Sequence, residues 1–142
     1  MSDFGGIILL AGRLLIAIFA VNAGMAHVMK SAMMTGYAQS VNFPVVSITG
    51  WPTGLWLIVG GLSVGLGVWP DVGALMVLAF ALIAAAFFHR FWEVTDEMQK
   101  MTQMQFFWRN TFIVGACLFM FATFAEAGPA IRFAITTALI EL

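Results

Sequence analysis

The groups whose types and spacing suggest chemistry are few in this chain. His27, His89, Arg90, Glu93, Arg109 and Asn110 each stand near the end of a long apolar stretch. Neutral imidazole is a common ligand for haem iron and for metals, so two histidines on different segments suggest bis-histidine haem b. His89 and Glu93 are four residues apart and would share a helix face, which suggests a third metal ligand. Both ideas are disfavoured, because hydrogen-bonded histidine is ordinary near a lipid–water boundary, and no metal site is assigned. A quinone head pocket is the other chemical reading: apolar walls with a few polar groups to hold the carbonyls. His89, Arg109 and Asn110 are the candidate donors, with Trp92 beside them and His27 as a weaker member. Phe87, Phe88, Phe91, Phe106, Phe107 and Trp108 would supply the walls. The same aromatics also fit an interfacial belt, which multi-span proteins commonly display. No nucleophile–base pair occurs, and the single Cys117 excludes an internal disulfide. No catalytic residue is assigned.

The elements that must hold these groups follow from where charge is absent. No formal charge falls between Ser31 and Trp69, between Val72 and Phe88, or between Asn110 and Ala125. The chain is 62% hydrophobic and 9% charged, with a mean hydropathy of +0.99. Soluble domains carry about 25% charged residues, so the deficit decides for an integral membrane protein. Six Lys and Arg against seven Asp and Glu leave no basic face for nucleic acid.

A helical crossing needs ~20 apolar residues, and the 142-residue chain has room for four in a single domain spanning 1–142. The pattern predicts an all-α four-helix bundle with helices over about 7–28, 53–68, 72–92 and 106–125. Pro52 suits a first helical turn, Trp69-Pro70-Asp71 makes a tight turn, and Gly128-Pro129 ends the last helix. Over 130–142, Ile131, Ala134, Ile135, Ala138, Leu139 and Leu142 recur at helical spacing. That pattern predicts an amphipathic helix lying at the interface or on the bundle. Asp3 and the interrupting Arg13 argue that the first segment is a retained helix and not a cleaved signal.

Four crossings sort the ionisable groups into two layers. Arg13, Asp71 and Glu126 share one side, where Arg13 is expected to snorkel to water or to form an ion pair with Glu126. The histidines, Arg109 and Asn110 share the other side. Lys30, Arg90, Lys100 and Arg109 outnumber Arg13 and Arg132, which puts the longer loops in the cytoplasm. Gly60, Gly61, Ser63, Gly65 and Gly67 crowd the second helix and suit close packing in the bundle or a face for a second subunit.

The run Phe87-Phe88-His89-Arg90-Phe91-Trp92, followed by Phe107-Trp108-Arg109-Asn110-Thr111-Phe112-Ile113-Val114-Gly115, resembles the second half of the DoxX family. Gly12-Arg13-Leu14-Leu15, Gly36-Tyr37 with Phe43-Pro44, and Gly60-Gly61 through Gly67 resemble its first half. The resemblance covers about 12–121. It departs at His27, where the family often has a lysine, and at Leu57, where it often has a glutamate. The resemblance implies a four-helix protein of a bacterial plasma membrane, with relatives linked to thiosulfate:quinone oxidation and to redox-enzyme partners. The leading expectation is a non-catalytic anchor or assembly subunit of a redox or respiratory complex. Its partners would be the lipid bilayer with other membrane or redox subunits, or further copies of the chain. A quinone-interacting subunit of a membrane oxidoreductase is the alternative, and small-molecule transport or cargo binding is a third.

Overall fold

A computed structural model describes residues 2–140. Five α-helices carry the architecture: α1 over Asp3–Met29, α2 over Ser31–Ser40, α3 over Trp51–Leu66, α4 over Pro70–Ile83 and α5 over Glu97–Ala127. No strand occurs among the described residues. Caps set several of the ends. The Ser2 hydroxyl accepts from the Gly5 amide at the start of α1, and the Asp96 carboxylate accepts from Gln99 at the start of α5. Pro52 and Pro70 fall in the first turns of α3 and α4, where a missing N–H costs nothing.

Three stretches are long and apolar enough to cross a membrane: Asp3–Met29, Pro70–Glu93 and Glu97–Ala130. The fourth, α3, has 16 residues and rises about 24 Å, short of the roughly 30 Å hydrocarbon core. The surface is what a bilayer requires. Ile8, Leu15, Ile18, Phe112 and Phe119 are exposed, whereas Arg13, Asp71 and Asn110 are buried. This is a membrane protein.

The helices pack in chain order, α1 on α3, α3 on α4 and α4 on α5, while α1 and α5 make no comparable contact. Small residues permit this. A Cβ on Gly24 would come within 2.6 Å of the Gly54 carbonyl, one on Gly61 within 2.8 Å of Ala20, and one on Gly65 within 2.8 Å of Ala17. Those pairings run in opposite directions along the two helices, so α1 and α3 are antiparallel. Gly60 and Gly73 allow the same approach between α3 and α4. The glycine-rich face is therefore packed inside the bundle, which is the first of the two expected roles.

The tail differs from expectation. After a short 3-10 turn at Gly128–Ala130, residues 131–140 form no helix; Glu141 and Leu142 lie outside the described residues. The segment folds back over the end of the bundle because that end offers it better hydrogen bonds. The amides of Ile135 and Thr136 donate to the Gly67 carbonyl, and the Thr136 hydroxyl accepts from the Trp69 amide at 2.8 Å. The Asp71 carboxylate takes the Leu139 and Ile140 amides at 3.0 and 2.9 Å. A buried carboxylate needs partners; these amides supply them to Oδ2, while Oδ1 is buried with no partner among the described residues.

Arg13 is also elsewhere than expected. It is fully buried and neither snorkels nor pairs with Glu126, which is exposed. Its Nε donates to the Val64 carbonyl and one Nη to that of Gly65, both at 2.9 Å, while the other Nη reaches the Phe133 carbonyl at 3.0 Å. The last carbonyls of α3 lack helical partners and sit at the negative end of its dipole, so a guanidinium fork is well matched to them. Gly67 completes this corner at φ +70°, where a Cβ would meet both Arg13 and Ala134.

Candidate functional site

At the end opposite Arg13, the gap between α1 and α5 opens into a cavity of about 840 Å³. Four of the residues singled out by sequence, His27, His89, Arg109 and Asn110, line it together. Trp92 does not. It is 54% exposed and packs edge-on against Phe91 and Phe107, with centroids at 5.1 and 5.7 Å, as a belt residue would. Glu93 is also outside the cavity lining, in an ion pair with Arg90 at 3.0 Å. The expected helix face shared by His89 and Glu93 is absent, because α4 gives way to a π-helical turn at Ala84–Phe88 and then leaves helical geometry at His89. Among the described residues no three His, Cys, Asp or Glu side chains gather to hold a metal ion.

Each polar group is held by a specific neighbour. His27, in the last turn of α1, has Nδ1 2.8 Å from the Thr49 carbonyl oxygen and its ring edge-on to Phe80 at 5.6 Å. A carbonyl can only accept, so Nδ1 carries the hydrogen and, in the neutral ring, Nε2 carries the lone pair. His89 has Nδ1 2.8 Å from the Gln103 side-chain oxygen. The Gln103 amide nitrogen faces the Tyr37 hydroxyl at 3.5 Å, and that hydroxyl donates to the Phe88 carbonyl at 2.8 Å. The chain of contacts fixes the amide orientation and leaves Nε2 of His89 as an acceptor too. The Phe88 carbonyl is free to accept because the π-turn ends there without an onward helical partner.

Asn110 is 1% exposed. Its Nδ2 donates to the Phe106 carbonyl one turn back, at 2.8 Å, and its Oδ1 has no partner among the described residues. An unsatisfied buried acceptor costs about 1–3 kcal/mol, and Asn110 is among the residues that line the cavity. Arg109 is exposed and lies over the Phe106 ring, with its guanidinium carbon 4.8 Å from the centroid.

The walls come from Phe19 and Ala23 on α1, Trp56 on α3, Phe80 on α4 and Phe43 and Phe88 in the connecting segments. Of the expected wall residues only Phe88 lines the cavity, while Phe87, Phe91, Phe106, Phe107 and Trp108 do not; sequence reasoning also missed Phe19, Phe43, Trp56 and Phe80, and Asn22, Tyr37, Thr49 and Thr53 among the polar liners. Their one signal is that they fall near the same ends of their helices as the histidines. Nothing in their types separates them from lipid-facing neighbours.

The site is thus an apolar chamber lined by a buried amide residue, two imidazoles of fixed tautomer and a cation at its edge. Such a chamber suits a flat ring bearing polar substituents. A family model described as DoxX matches residues 8–90, more than half of the chain. No curated protein and no solved structure matches the chain.

Proposed function

The chain belongs to the DoxX family of membrane proteins, and on that premise we propose that it is the quinone-binding subunit of a membrane redox complex. The observation that carries the reading is the gathering of His27, His89, Arg109 and Asn110 around one apolar, aromatic-walled cavity. A volume of about 840 Å³ lies within the range of small-molecule sites, and the aromatic walls suit a quinone ring. The gap between α1 and α5 offers a route from the lipid for a ligand that partitions there.

The chain's own residues bind and orient the ring and exclude water from it. Electrons pass to or from another subunit, which makes the protein an anchor and a binding partner rather than an enzyme on its own. We read 1–142 as one transmembrane domain crossing a bacterial plasma membrane four times. The short α3 is held between α1 and α4, and the cavity end, with Lys30, Arg90, Lys100 and Arg109, faces the cytoplasm.

The test is calorimetric titration of protein in lipid nanodiscs with duroquinone and with duroquinol, against empty nanodiscs. The expected result is saturable binding of at least one form, lost in His89→Ala and Arg109→Ala variants that keep their helical content. Only lipid partitioning, equal with and without protein, would overturn the reading.

A further inference from the structure

The hydrogens of the cavity's polar groups follow one pattern. The Tyr37 hydroxyl donates to Phe88, the Thr49 hydroxyl to Val46 at 2.7 Å, and the Thr53 hydroxyl to Ile48 at 2.6 Å. The Trp56 indole donates to the Met76 carbonyl at 2.8 Å. Both imidazole Nδ1–H groups are engaged by Thr49 and Gln103, and Asn110 donates to Phe106. Every hydroxyl, indole and imidazole hydrogen of these liners is directed at a protein oxygen. What they leave toward an occupant is lone pairs: two imidazole Nε2 atoms and the hydroxyl oxygens, while the unpartnered Asn110 Oδ1 is itself buried. The remaining donors are the Arg109 guanidinium and the Asn22 amide, both on exposed residues, and the second hydrogen of the Asn110 amide.

From this pattern we propose that the cavity selects the reduced, dihydroxy form of its ring ligand over the oxidised dicarbonyl form; the proposal rests on the quinone-binding reading above. A quinone oxygen can only accept. One carbonyl could take a hydrogen from Arg109 at the cavity's edge, but an oxygen turned toward His27 or His89 meets an imidazole Nε2, which leaves two sets of lone pairs opposed. A hydroquinone hydroxyl both donates and accepts. It gives its hydrogen to a histidine Nε2 and can still receive a bond from Arg109 on its oxygen. Discrimination between ligands that differ in such a hydrogen is strong when the protein's buried groups would otherwise be unpaired.

The experiment compares dissociation constants for duroquinol and duroquinone on the same nanodisc preparation under argon, with dithionite present for the reduced form. The wild-type protein is expected to bind duroquinol on the order of tenfold or more tightly than duroquinone. His27→Leu and Thr53→Val each remove a cavity acceptor and should bring that ratio toward one. Circular dichroism on the same samples shows that each variant keeps the parent's helical content, so the ratio is read on folded protein. Duroquinone binding as tightly as duroquinol overturns this inference while the quinone-binding reading stands. A preference for duroquinol that survives both substitutions unchanged also overturns it. Binding of neither form overturns both.

Discussion

His27 gives its Nδ1 hydrogen to the carbonyl of Thr49, across 2.8 Å between the end of α1 and the segment that leads into α3. The contact does two things. It closes the cavity's loop side, and it fixes the tautomer so that Nε2 remains an acceptor. A His27→Phe substitution keeps the edge contact with Phe80 but strands the Thr49 carbonyl, on a residue that is 6% exposed. Leaving such an acceptor unpaired costs about 1–3 kcal/mol. The expected outcome is a melting temperature lowered by several degrees together with weakened duroquinol binding. Thermal circular dichroism and titration on one sample check it, and a variant that binds as the parent does would remove His27 from the site.

Arg13 and Glu126 make a sharper comparison, because the sequence invites the ion pair that the fold does not form. Arg13→Met strands the carbonyls of Val64, Gly65 and Phe133, each worth about 1–3 kcal/mol if left dry. Arg13→Lys offers the three carbonyls a point charge instead of a fork and should recover part of the loss. Glu126→Gln touches none of these contacts and should change stability by no more than about 0.5 kcal/mol. Urea or thermal unfolding in mild detergent measures all three. A large effect from Glu126→Gln would restore the ion pair and displace the carbonyl cap.

Much of this was legible in the residues, for a physical reason. Hydropathy marks long apolar helices because a bilayer excludes unsatisfied backbone, and so α1 and α5 were visible as segments, as was the turn at Trp69. Helix starts were less visible. The last helix begins at Glu97 and not near 106, because its first turns are polar and hydropathy does not register them. The tail misled for a related reason. Its apolar spacing is helical, yet Gly67, Asp71 and Arg13 compete for its backbone groups, and periodicity carries no information about such partners. In the site, His27, His89, Arg109 and Asn110 were found because polar side chains at helix ends stand out. The aromatic liners were not, since Phe80 and Phe112 look alike until packing turns one inward and the other outward.

The tail's attachment gives a third expectation. Asp71 holds the Leu139 and Ile140 amides through one carboxylate oxygen, while Asp3 pairs with the exposed Arg132 at the tail's other end. Asp71→Ala removes the first tether. The amides of Leu139 and Ile140 should then exchange hydrogen faster, and trypsin should cleave after Arg132 more readily than in the parent. Mass spectrometry reads both. Protection unchanged in the variant would mean that the Gly67 contacts alone fasten the tail.

The glycines of α3 supply the last test, and it separates packing within one chain from packing between chains. Gly61 lies against Ala20 and Gly54 against the Gly24 carbonyl, at distances a Cβ would shorten to 2.8 and 2.7 Å. Gly61→Val and Gly54→Val must therefore push α1 away from α3, and with it His27 from Thr53 and Trp56 across the cavity. Overpacking of this kind costs about 1–3 kcal/mol. Both variants should melt earlier and bind duroquinol less tightly, while native mass spectrometry gives the same number of copies as the parent. A glycine face shared between chains would answer differently. The number of copies would fall in the variants, and the melting temperature of the separated chain would hold.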